Sequence, residues 1–397
     1  MAASPRPEAL GPAVTIAGAG AVTGYGWGMD RLRQGLYAQK PACRLEGGFS
    51  PWFEEDLGWI ARVEDGGDPD DGPSRFMRAV RAAAREAVAD ARQRGWQPGE
   101  VVGLVHGVTL GEVDLWRAYH HRQGLGTTRR QWLELMPSTV LMEVMREFDV
   151  HGPAMAVTAM CASGLAALLT ARLWIATGQA DDVLVISTDI SSTPENCRSL
   201  ANLAPAVLDR PSLESCLAFQ EDTLGFGIGE ASVAMLVTRT PLPGRGRLLG
   251  GAMSHDAFHP TAIPPGAPEV ARCVRRALQD AGLAPEEVAY VNGYGNGNPR
   301  SDQVELAILD ELLPAAEGIF SVKPLVGHCM SASAAVEVLA SLLSFETGVI
   351  PAPPRLGRHG HPRLLDGLTA AVEAPVLKPS LGFGGHNAAV VLEACPN

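Results

Sequence analysis

Residues 154–164 read Ala-Met-Ala-Val-Thr-Ala-Met-Cys-Ala-Ser-Gly, and an almost uninterrupted apolar stretch from Leu165 to Ile175 follows them. The first part predicts a short strand. The second predicts a helix without a polar face, which must lie inside a core. Cys161 falls at the turn between them, where unpaired backbone N–H groups and the helix dipole stabilise a thiolate, so we expect a lowered thiol pKa and a nucleophile. An inert core cysteine is the alternative, because free cysteines are among the most buried residues.

The composition limits the class of protein. The chain has 397 residues, of which 46% are hydrophobic and 19% charged, so it can bury one large core or two. It contains no apolar run long enough to span a membrane and no secretory signal, so we expect a cytoplasmic protein. Seven scattered cysteines show no metal-ligand spacing and, being odd in number, no disulfide framework. A formal charge of −12 argues against nucleic acid or an anionic membrane as a partner.

Two further patterns have competing interpretations. Residues 13–24 combine a strand with a glycine cluster, as in dinucleotide-binding proteins, but the irregular residues 41–48 follow instead of a second strand ending in an acidic residue. We therefore interpret the glycines as a tight turn. A basic cluster is either a solvated helix face or a docking surface. It comprises Arg117, His120, His121, Arg122, Arg129 and Arg130.

The second part of the chain repeats the first. Residues 82–102 and 274–289 share a helix–turn–strand pattern, and the segment that begins near Cys161 resembles residues 320–348. The later segment carries His328 where the earlier one carries Cys161. Two such units would pack their central helices together and bring the cysteine and the histidine into one pocket.

These motifs resemble those of the β-ketoacyl-acyl carrier protein synthases, which have the thiolase fold. The resemblance rests on the Cys161-Ala-Ser-Gly turn, on Gly-Phe-Gly-Ile-Gly-Glu at 225–230, on Lys323 with Gly327-His328, and on Gly-Phe-Gly-Gly-His-Asn at 382–387. It implies a duplicated, five-layered αβαβα fold. Residues 1–240 would form the half that carries the nucleophile, and residues 241–397 the half that carries the histidine and a glycine-rich gate.

The resemblance also implies roles for individual residues. Cys161 would accept the acyl group, and its N–H and that of Phe383 would form the oxyanion hole. Lys323 would set the electrostatics of His328. The implied catalytic residues are Cys161, His328, Lys323, Tyr294 and Phe383, the implied substrate-binding residues are Asn296, Asn298 and Gly384, and the implied structural residue is the buried acid Glu337. The resemblance implies no chemical role for His386.

One residue departs from the family pattern. The run Val-Asn-Gly-Tyr-Gly-Asn-Gly-Asn-Pro at 291–299 places Tyr294 where the family has its first catalytic histidine, a hydrogen-bond donor to the malonyl thioester oxygen during decarboxylation. Losing one such donor typically costs about 10²- to 10³-fold in rate. Asn296 and Asn298 replace threonines that hold the pantetheine, and Gly293 replaces an alanine, which we expect to let the strand relax.

The sequence therefore predicts acyl transfer through Cys161 between carrier-protein thioesters and an acceptor, in a polyketide or fatty-acid type of pathway, with weak malonyl decarboxylation. Three alternatives remain: a competent condensing enzyme, a chain-length-factor-like partner subunit, and an enzyme that joins an acyl group to a nitrogen or oxygen nucleophile. The implied partners are an acyl carrier protein and either a second copy or a paralogous subunit, paired through a strand at 183–187. No cofactor is expected, since the substrate carries the phosphopantetheine.

Overall fold

The computed structural model describes residues 11–47, 57–121, 132–203, 206, 216–357 and 359–396. The strands are β1 Val14–Thr23, β2 Gly26–Trp27, β3 Arg44–Gly47, β4 Leu57–Ala61, β5 Val102–Val108, β6 Ala154–Val157, β7 Asp182–Asp189, β8 Ile228–Gly229, β9 Ala231–Thr238, β10 Gly246–His255, β11 Tyr290–Asn292, β12 Gly318–Phe320, β13 Val349–Pro351, β14 Leu368–Ala370, β15 Val376–Gly382 and β16 His386–Glu393. The helices are α1 Met29–Tyr37, α2 Arg75–Gln93, α3 Val113–His121, α4 Pro137–Phe148, α5 Ser163–Ala176, α6 Pro194–Leu203, α7 Pro268–Ala281, α8 Pro299–Leu312, α9 Lys323–Val326 and α10 Ser333–Thr347.

The strand order confirms the internal duplication. The main sheet runs β12-β11-β15-β16-β10-β1-β9-β7-β5-β6, with β2 attached to β1. Each half therefore places its strands in the order third, second, fourth, fifth, first. The second strand is parallel to its neighbours and the fifth antiparallel to its own in both halves. The first strands, β1 and β10, pair with each other at three positions.

The layers match the predicted αβαβα architecture. The central helices α5 and α10 share one hydrophobic cluster with the facing sides of both half-sheets. Helices α2 and α4 cover the outer side of the first half-sheet, and α7 and α8 cover that of the second. Helix α5 is apolar on nearly all sides, as its sequence predicts, because it is enclosed between the two half-sheets. The predicted boundary at residues 240 and 241 falls in the connection between β9 and β10 and stays a prediction.

Two glycines of the first strand do not form the tight turn that the sequence predicted. Gly18 and Gly20 lie within β1, facing α2. A Cβ atom at these positions would come within 2.3 Å of the Ala87 carbonyl and 2.1 Å of the Ala83 carbonyl. Missing side chains thus let α2 pack closely onto the strand, and the turn follows only at residues 24–25. The tight-turn interpretation of these two glycines was wrong.

The prediction that the strand at 183–187 lies at an edge of the sheet is also wrong. Strand β7, which contains residues 183–187, is hydrogen-bonded to β5 on one side and to β9 on the other. The edge on that side is β6, where Met155 is 44% exposed. The error arises because the order of neighbouring strands depends on crossover connections and not on their apolar pattern.

Of the basic cluster, Arg122, Arg129 and Arg130 lie outside the described residues. Arg117 forms an ion pair with Glu195 at 3.1 Å, and the His120 ring stacks on Trp116. No helix within the described ranges is sufficiently long and apolar to cross a membrane.

Candidate active site

Cys161 lies in a single 3₁₀ turn, Met160–Ala162, between β6 and α5. Met160 has a positive φ of 50°, which makes the turn abrupt. The Ser163 hydroxyl fixes it, accepting from the Ala159 N–H at 2.9 Å and donating to the Met160 carbonyl at 2.7 Å. The thiol is consequently held at the start of α5 in a buried position.

A second, matching turn lies in the other half. It is Met330–Ala332, with a φ of 42° at Met330, and α10 begins directly after it. Both turns carry the pattern Met-x-Ala-Ser, so the repeat equivalent of Cys161 is Ser331. The equivalence predicted for His328 was therefore wrong by three residues, although His328 does lie next to this turn.

Each turn is anchored by the opposite half. The Ser380 hydroxyl on β15 donates to the Cys161 carbonyl at 3.0 Å. The Ser331 hydroxyl donates to the Thr188 carbonyl on β7 at 2.8 Å. Strands β7 and β15 are the fourth strands of their halves, so the exchange is reciprocal and brings the two turns together.

A line of hydrogen bonds joins the histidine, the tyrosine and the cysteine. The Met330 N–H donates to Nδ1 of His328 at 3.2 Å, so the neutral imidazole carries its proton on Nε2. This Nε2–H lies 3.2 Å from the Tyr294 hydroxyl oxygen and donates to it. The Asn296 side-chain amide also donates to that oxygen, at 3.3 Å. The Tyr294 hydroxyl in turn donates to the sulfur of Cys161.

Burial dominates the ionisation of these groups. It lowers the pKa of His328 well below its ordinary value, and the positive charges of Lys323 and Lys378 act in the same direction. Burial likewise raises the pKa of Tyr294 well above its ordinary value, with the nearby Cys161 adding to the effect.

Burial raises the pKa of Cys161 too. The Tyr294 hydrogen bond, the charge of Lys323 and the Phe383 N–H oppose this effect without cancelling it. The lowered thiol pKa expected from the helix position alone was therefore wrong, because a thiolate loses more hydration here than the helix start restores.

Glu337 is buried, as the resemblance implied, and it forms an ion pair with Lys323 that was not predicted. The ammonium group of Lys323 donates to Glu337 Oε1 and to the Tyr294 carbonyl, and it lies 4.3 Å from the centre of the Tyr294 ring. Glu337 meets a second cation on its other oxygen, since Lys378 Nζ lies 2.7 Å from Oε2. Lys378 was not predicted.

The glycine before Tyr294 does not relax the strand. A Cβ atom on Gly293 would lie 2.6 Å from the ring of Phe219, so the glycine makes room for that ring. The Gly293 N–H donates to the Phe320 carbonyl at 2.8 Å. The expectation of a looser strand was therefore wrong.

Two cavities meet at Phe383. One, of about 260 Å³, is lined by Cys161, His328 and apolar side chains that include Leu200 and Phe226. The other, of about 70 Å³, is lined by Asn298, Gly384 and their neighbours. Tyr294, Asn296 and Phe383 line both. Cys161 lines the larger cavity, and the smaller one adjoins it at these three shared side chains.

Family models match both halves of the chain. The N-terminal domain of beta-ketoacyl synthases matches residues 70–241, and the C-terminal domain matches residues 245–356. The chain belongs to the β-ketoacyl synthase family. The resemblance noted in the sequence is confirmed.

Two curated proteins show how similar this chain is to members of the family. It is 28% identical over 387 residues to "Putative polyketide beta-ketoacyl synthase 1" of Streptomyces virginiae, covering 91% of this chain and 87% of that protein. It is 31% identical over 289 residues to Nodulation protein E of Rhizobium meliloti, covering 68% and 69%.

A solved ketosynthase in complex with its chain length factor, from Xenorhabdus doucetiae, superposes with a TM-score of 0.81 at 24% identity, covering 96% of this chain and 98% of that one. The ishigamide ketosynthase/chain length factor gives a TM-score of 0.80, also at 24% identity, with coverage of 97% and 99%. These likenesses show the fold.

The three predicted substrate-binding residues lie together, and the side chains of Asn296 and Asn298 hydrogen-bond within the protein. Besides its bond to Tyr294, Asn296 accepts through its side-chain oxygen from Asn298 N–H and from the Ser301 hydroxyl. Asn298 caps α8, accepting from the Arg300 N–H at 3.0 Å. Gly384 has a φ of 81° and lies in the turn beside Phe383. A contact with pantetheine stays a prediction for all three residues.

Sequence reasoning missed Lys378 and Glu305. Glu305 accepts from the N–H groups of Tyr294 and Gly295 at 2.6 and 2.9 Å. Glu305 lies in an ordinary helical pattern, so nothing in the sequence indicated that it belongs to the site. Lys378 did give a signal, since it interrupts the apolar strand pattern of 376–381 and only three of the 32 basic residues are lysines.

Proposed function

We propose that this protein transfers acyl groups through Cys161 between carrier-protein thioesters and an acceptor, and that it decarboxylates malonyl thioesters poorly. The observation that carries the proposal is the Tyr294 hydroxyl, which lies between His328 and Cys161 and bonds to both. Family membership supports the acyl chemistry, and the hydrogen-bond line supports the limit on decarboxylation.

In the transfer step the Cys161 sulfur attacks the thioester carbonyl carbon. A new sulfur–carbon bond forms, the negative charge passes to the carbonyl oxygen, and the N–H groups of Cys161 and Phe383 stabilise it. The bond to the pantetheine sulfur then breaks, and that sulfur takes up a proton equivalent to the one lost by Cys161. The second half-reaction reverses these events with the acceptor, so no electron or external proton is consumed.

Decarboxylation needs hydrogen-bond donors that are free to bind the substrate. The enolate formed when carbon dioxide leaves needs hydrogen bonds on the thioester oxygen, and two donors face this space, His328 Nε2–H and the Tyr294 hydroxyl. The first is bound to the tyrosine oxygen and the second to the sulfur. Both bonds would have to break before a malonyl oxygen could be bound, so the donors are not preorganised for that reaction.

The partners follow from the same proposal. An acyl carrier protein would deliver its arm through the cavity beside Asn298 and Gly384. Solved neighbours include an acyl carrier protein in complex with its ketosynthase and two ketosynthases with chain length factors, which supports both kinds of partner. A second copy or a related subunit would pair at the exposed edge of β6.

The test combines intact-protein mass spectrometry with carbon dioxide release. Wild-type protein is incubated with octanoyl and malonyl carrier protein. We expect an octanoyl adduct on Cys161 that is absent from Cys161→Ala, and carbon dioxide release at least about 10²-fold slower than in an ordinary ketosynthase. Tyr294→His should raise that release, because His328 regains a free Nε2–H and a second donor is restored.

Two outcomes would replace the proposal. Decarboxylation at the rate of an ordinary ketosynthase would make the protein a competent condensing enzyme. No acylation of Cys161 by any donor, together with stable binding to a related ketosynthase, would identify a chain-length-factor-like subunit. The neighbours solved with chain length factors favour this second candidate, whereas the retained Cys161 opposes it.

A further inference from the structure

Lysine is rare in this chain and concentrated at the site. The three lysines are Lys40, Lys323 and Lys378, and all other basic side chains among the 32 are arginines. Lys40 is exposed, whereas Lys323 is 3% and Lys378 0% exposed. The two buried lysines hold the two oxygens of one carboxylate, Glu337. An ammonium group is compact and has three donors, so it can fill a space that a planar guanidinium cannot.

Three oxygen atoms lie close to Nζ of Lys378. Its Nζ lies 2.7 Å from Glu337 Oε2 and 3.3 Å from the Gly293 carbonyl, and it also donates to the Pro379 carbonyl. A protonated lysine has no lone pair, so it cannot act as a base in this state. Its contribution must therefore come from what it holds in place.

What it holds is one end of the peptide segment that carries Tyr294. Lys378 binds the Gly293 carbonyl and Lys323 binds the Tyr294 carbonyl. Glu305 accepts from the N–H groups of Tyr294 and Gly295. Charged side chains thus fix the peptide groups on both sides of Tyr294. Glycines flank the tyrosine, and they alone would leave the backbone free to move.

We propose that Lys378 is a positioning residue for Tyr294: by holding the Gly293 carbonyl and the second oxygen of Glu337, it keeps the tyrosine hydroxyl between His328 and Cys161. The inference rests on the proposed function, because it assigns Lys378 to the same acyl-transfer site. Without Lys378, Glu337 keeps Lys323, so the fold retains a paired carboxylate while the segment loses its anchor at Gly293.

The main experiment compares Lys378→Met with Lys40→Met, which removes an exposed lysine of the same kind. Methionine matches the length of the lysine stem and removes the donors. We expect the maximal rate of Cys161 acylation by octanoyl carrier protein to fall roughly 10- to 100-fold, as small misplacements of reacting groups do, with little change in the half-saturating donor concentration. Lys40→Met should behave as wild type.

A double-mutant cycle separates positioning from general destabilisation. If Lys378 acts through the tyrosine hydroxyl, Lys378→Met should cost little further rate in a Tyr294→Phe background. Equal losses in both backgrounds would overturn the proposal, as would a wild-type rate in Lys378→Met. Should the methionine variant fail to fold, Lys378→Gln is measured in the same cycle with the same criteria.

A spectroscopic measurement keeps this proposal distinct from the proposed function. In protein labelled with ¹⁵N-histidine, the His328 Nε2–H bonded to Tyr294 should give a slowly exchanging signal, assigned by its loss in His328→Gln. We expect Lys378→Met to remove or broaden it. Unchanged exchange would refute positioning by Lys378, whereas absent acylation of the wild type alongside this loss would refute only the acyl-transfer function.

Discussion

At Cys161, hydration and hydrogen bonding act on the thiol in opposite directions. Burial removes the water that would stabilise the thiolate, whereas the Tyr294 hydroxyl, the charge of Lys323 and the Phe383 N–H stabilise it. Since the net effect raises the thiol pKa above its ordinary value, the reactive thiolate is a small fraction near pH 7. The hydrogen bond from Tyr294 then determines how small that fraction is.

Alkylation kinetics test this balance. We expect the rate of Cys161 modification by iodoacetamide to rise about tenfold per pH unit from pH 6 to pH 8.5 without a plateau, because the thiol pKa lies above that range. Tyr294→Phe should slow the reaction about tenfold throughout, through loss of a hydrogen bond to a charged group. Peptide mapping in a Cys395→Ser background excludes the half-buried Cys395. A plateau below pH 7 would contradict the raised pKa.

Sequence reasoning identified single residues where a local pattern defines them. The turn and helix around Cys161 and the approximate place of His328 could be predicted, since apolar runs and glycine motifs are local. The bond between Tyr294 and His328 could not, because it depends on how two segments separated by 34 positions meet. The raised thiol pKa was missed for the same reason, as burial is a property of the assembled fold.

At the scale of elements, an acid from the segment between β5 and α3 lies at the start of helix α2, and its ionisation opposes folding. Ser74 caps the helix by accepting from the Met77 N–H at 3.0 Å, and its hydroxyl donates to Glu112 Oε1 at 2.7 Å. The carboxyl of Glu112 is buried, which raises its pKa to about 8. The folded state therefore keeps a proton that the unfolded chain loses above its ordinary, lower pKa.

This linkage predicts a pH-dependent stability. Stability should fall as the pH rises from about 5 to about 8, and the part of this loss that comes from Glu112 should reach roughly 5 kcal/mol at pH 9. Glu112→Gln should remove that part of the decline in urea unfolding at pH 5 and pH 9. Glu286→Gln, at an exposed position, is the control. An equal decline in wild type and Glu112→Gln would show that another group is responsible.

The sequence predicted the individual helices and strands better than it predicted which elements pack next to one another. The capped helix at Ser74, the strands β5 and β9 and the central helix α5 follow from periodicity and capping residues. Their arrangement does not, as β7 shows: its apolar run is compatible with an edge or an interior place, and the structure puts it between β5 and β9. Likewise, Gly18 and Gly20 were assigned to a turn because nothing local shows that a helix packs on them.

For the whole molecule, the position of β6 at the edge of the main sheet determines which residue to change in a test of subunit association. Met155 on β6 and Leu173 on α5 are 44% and 58% exposed. We expect Met155→Arg to abolish the pairing that we propose for wild type, measured by light scattering for the protein alone and with a related ketosynthase subunit. Val372→Arg, at an exposed apolar residue between β14 and β15, should leave it intact. A monomeric wild type in both samples would contradict the proposed pairing.

The scarcity of lysine also decides how this protein can be labelled. Amine-reactive reagents will find the side chain of Lys40 exposed and those of Lys323 and Lys378 closed off by burial and hydrogen bonds. A dye or a surface linker can therefore be attached through one lysine and the terminal amine. Removing the lysine by Lys40→Arg would leave the terminal amine as the attachment point, so the protein could be immobilised in one orientation with the pocket around Cys161 unmodified.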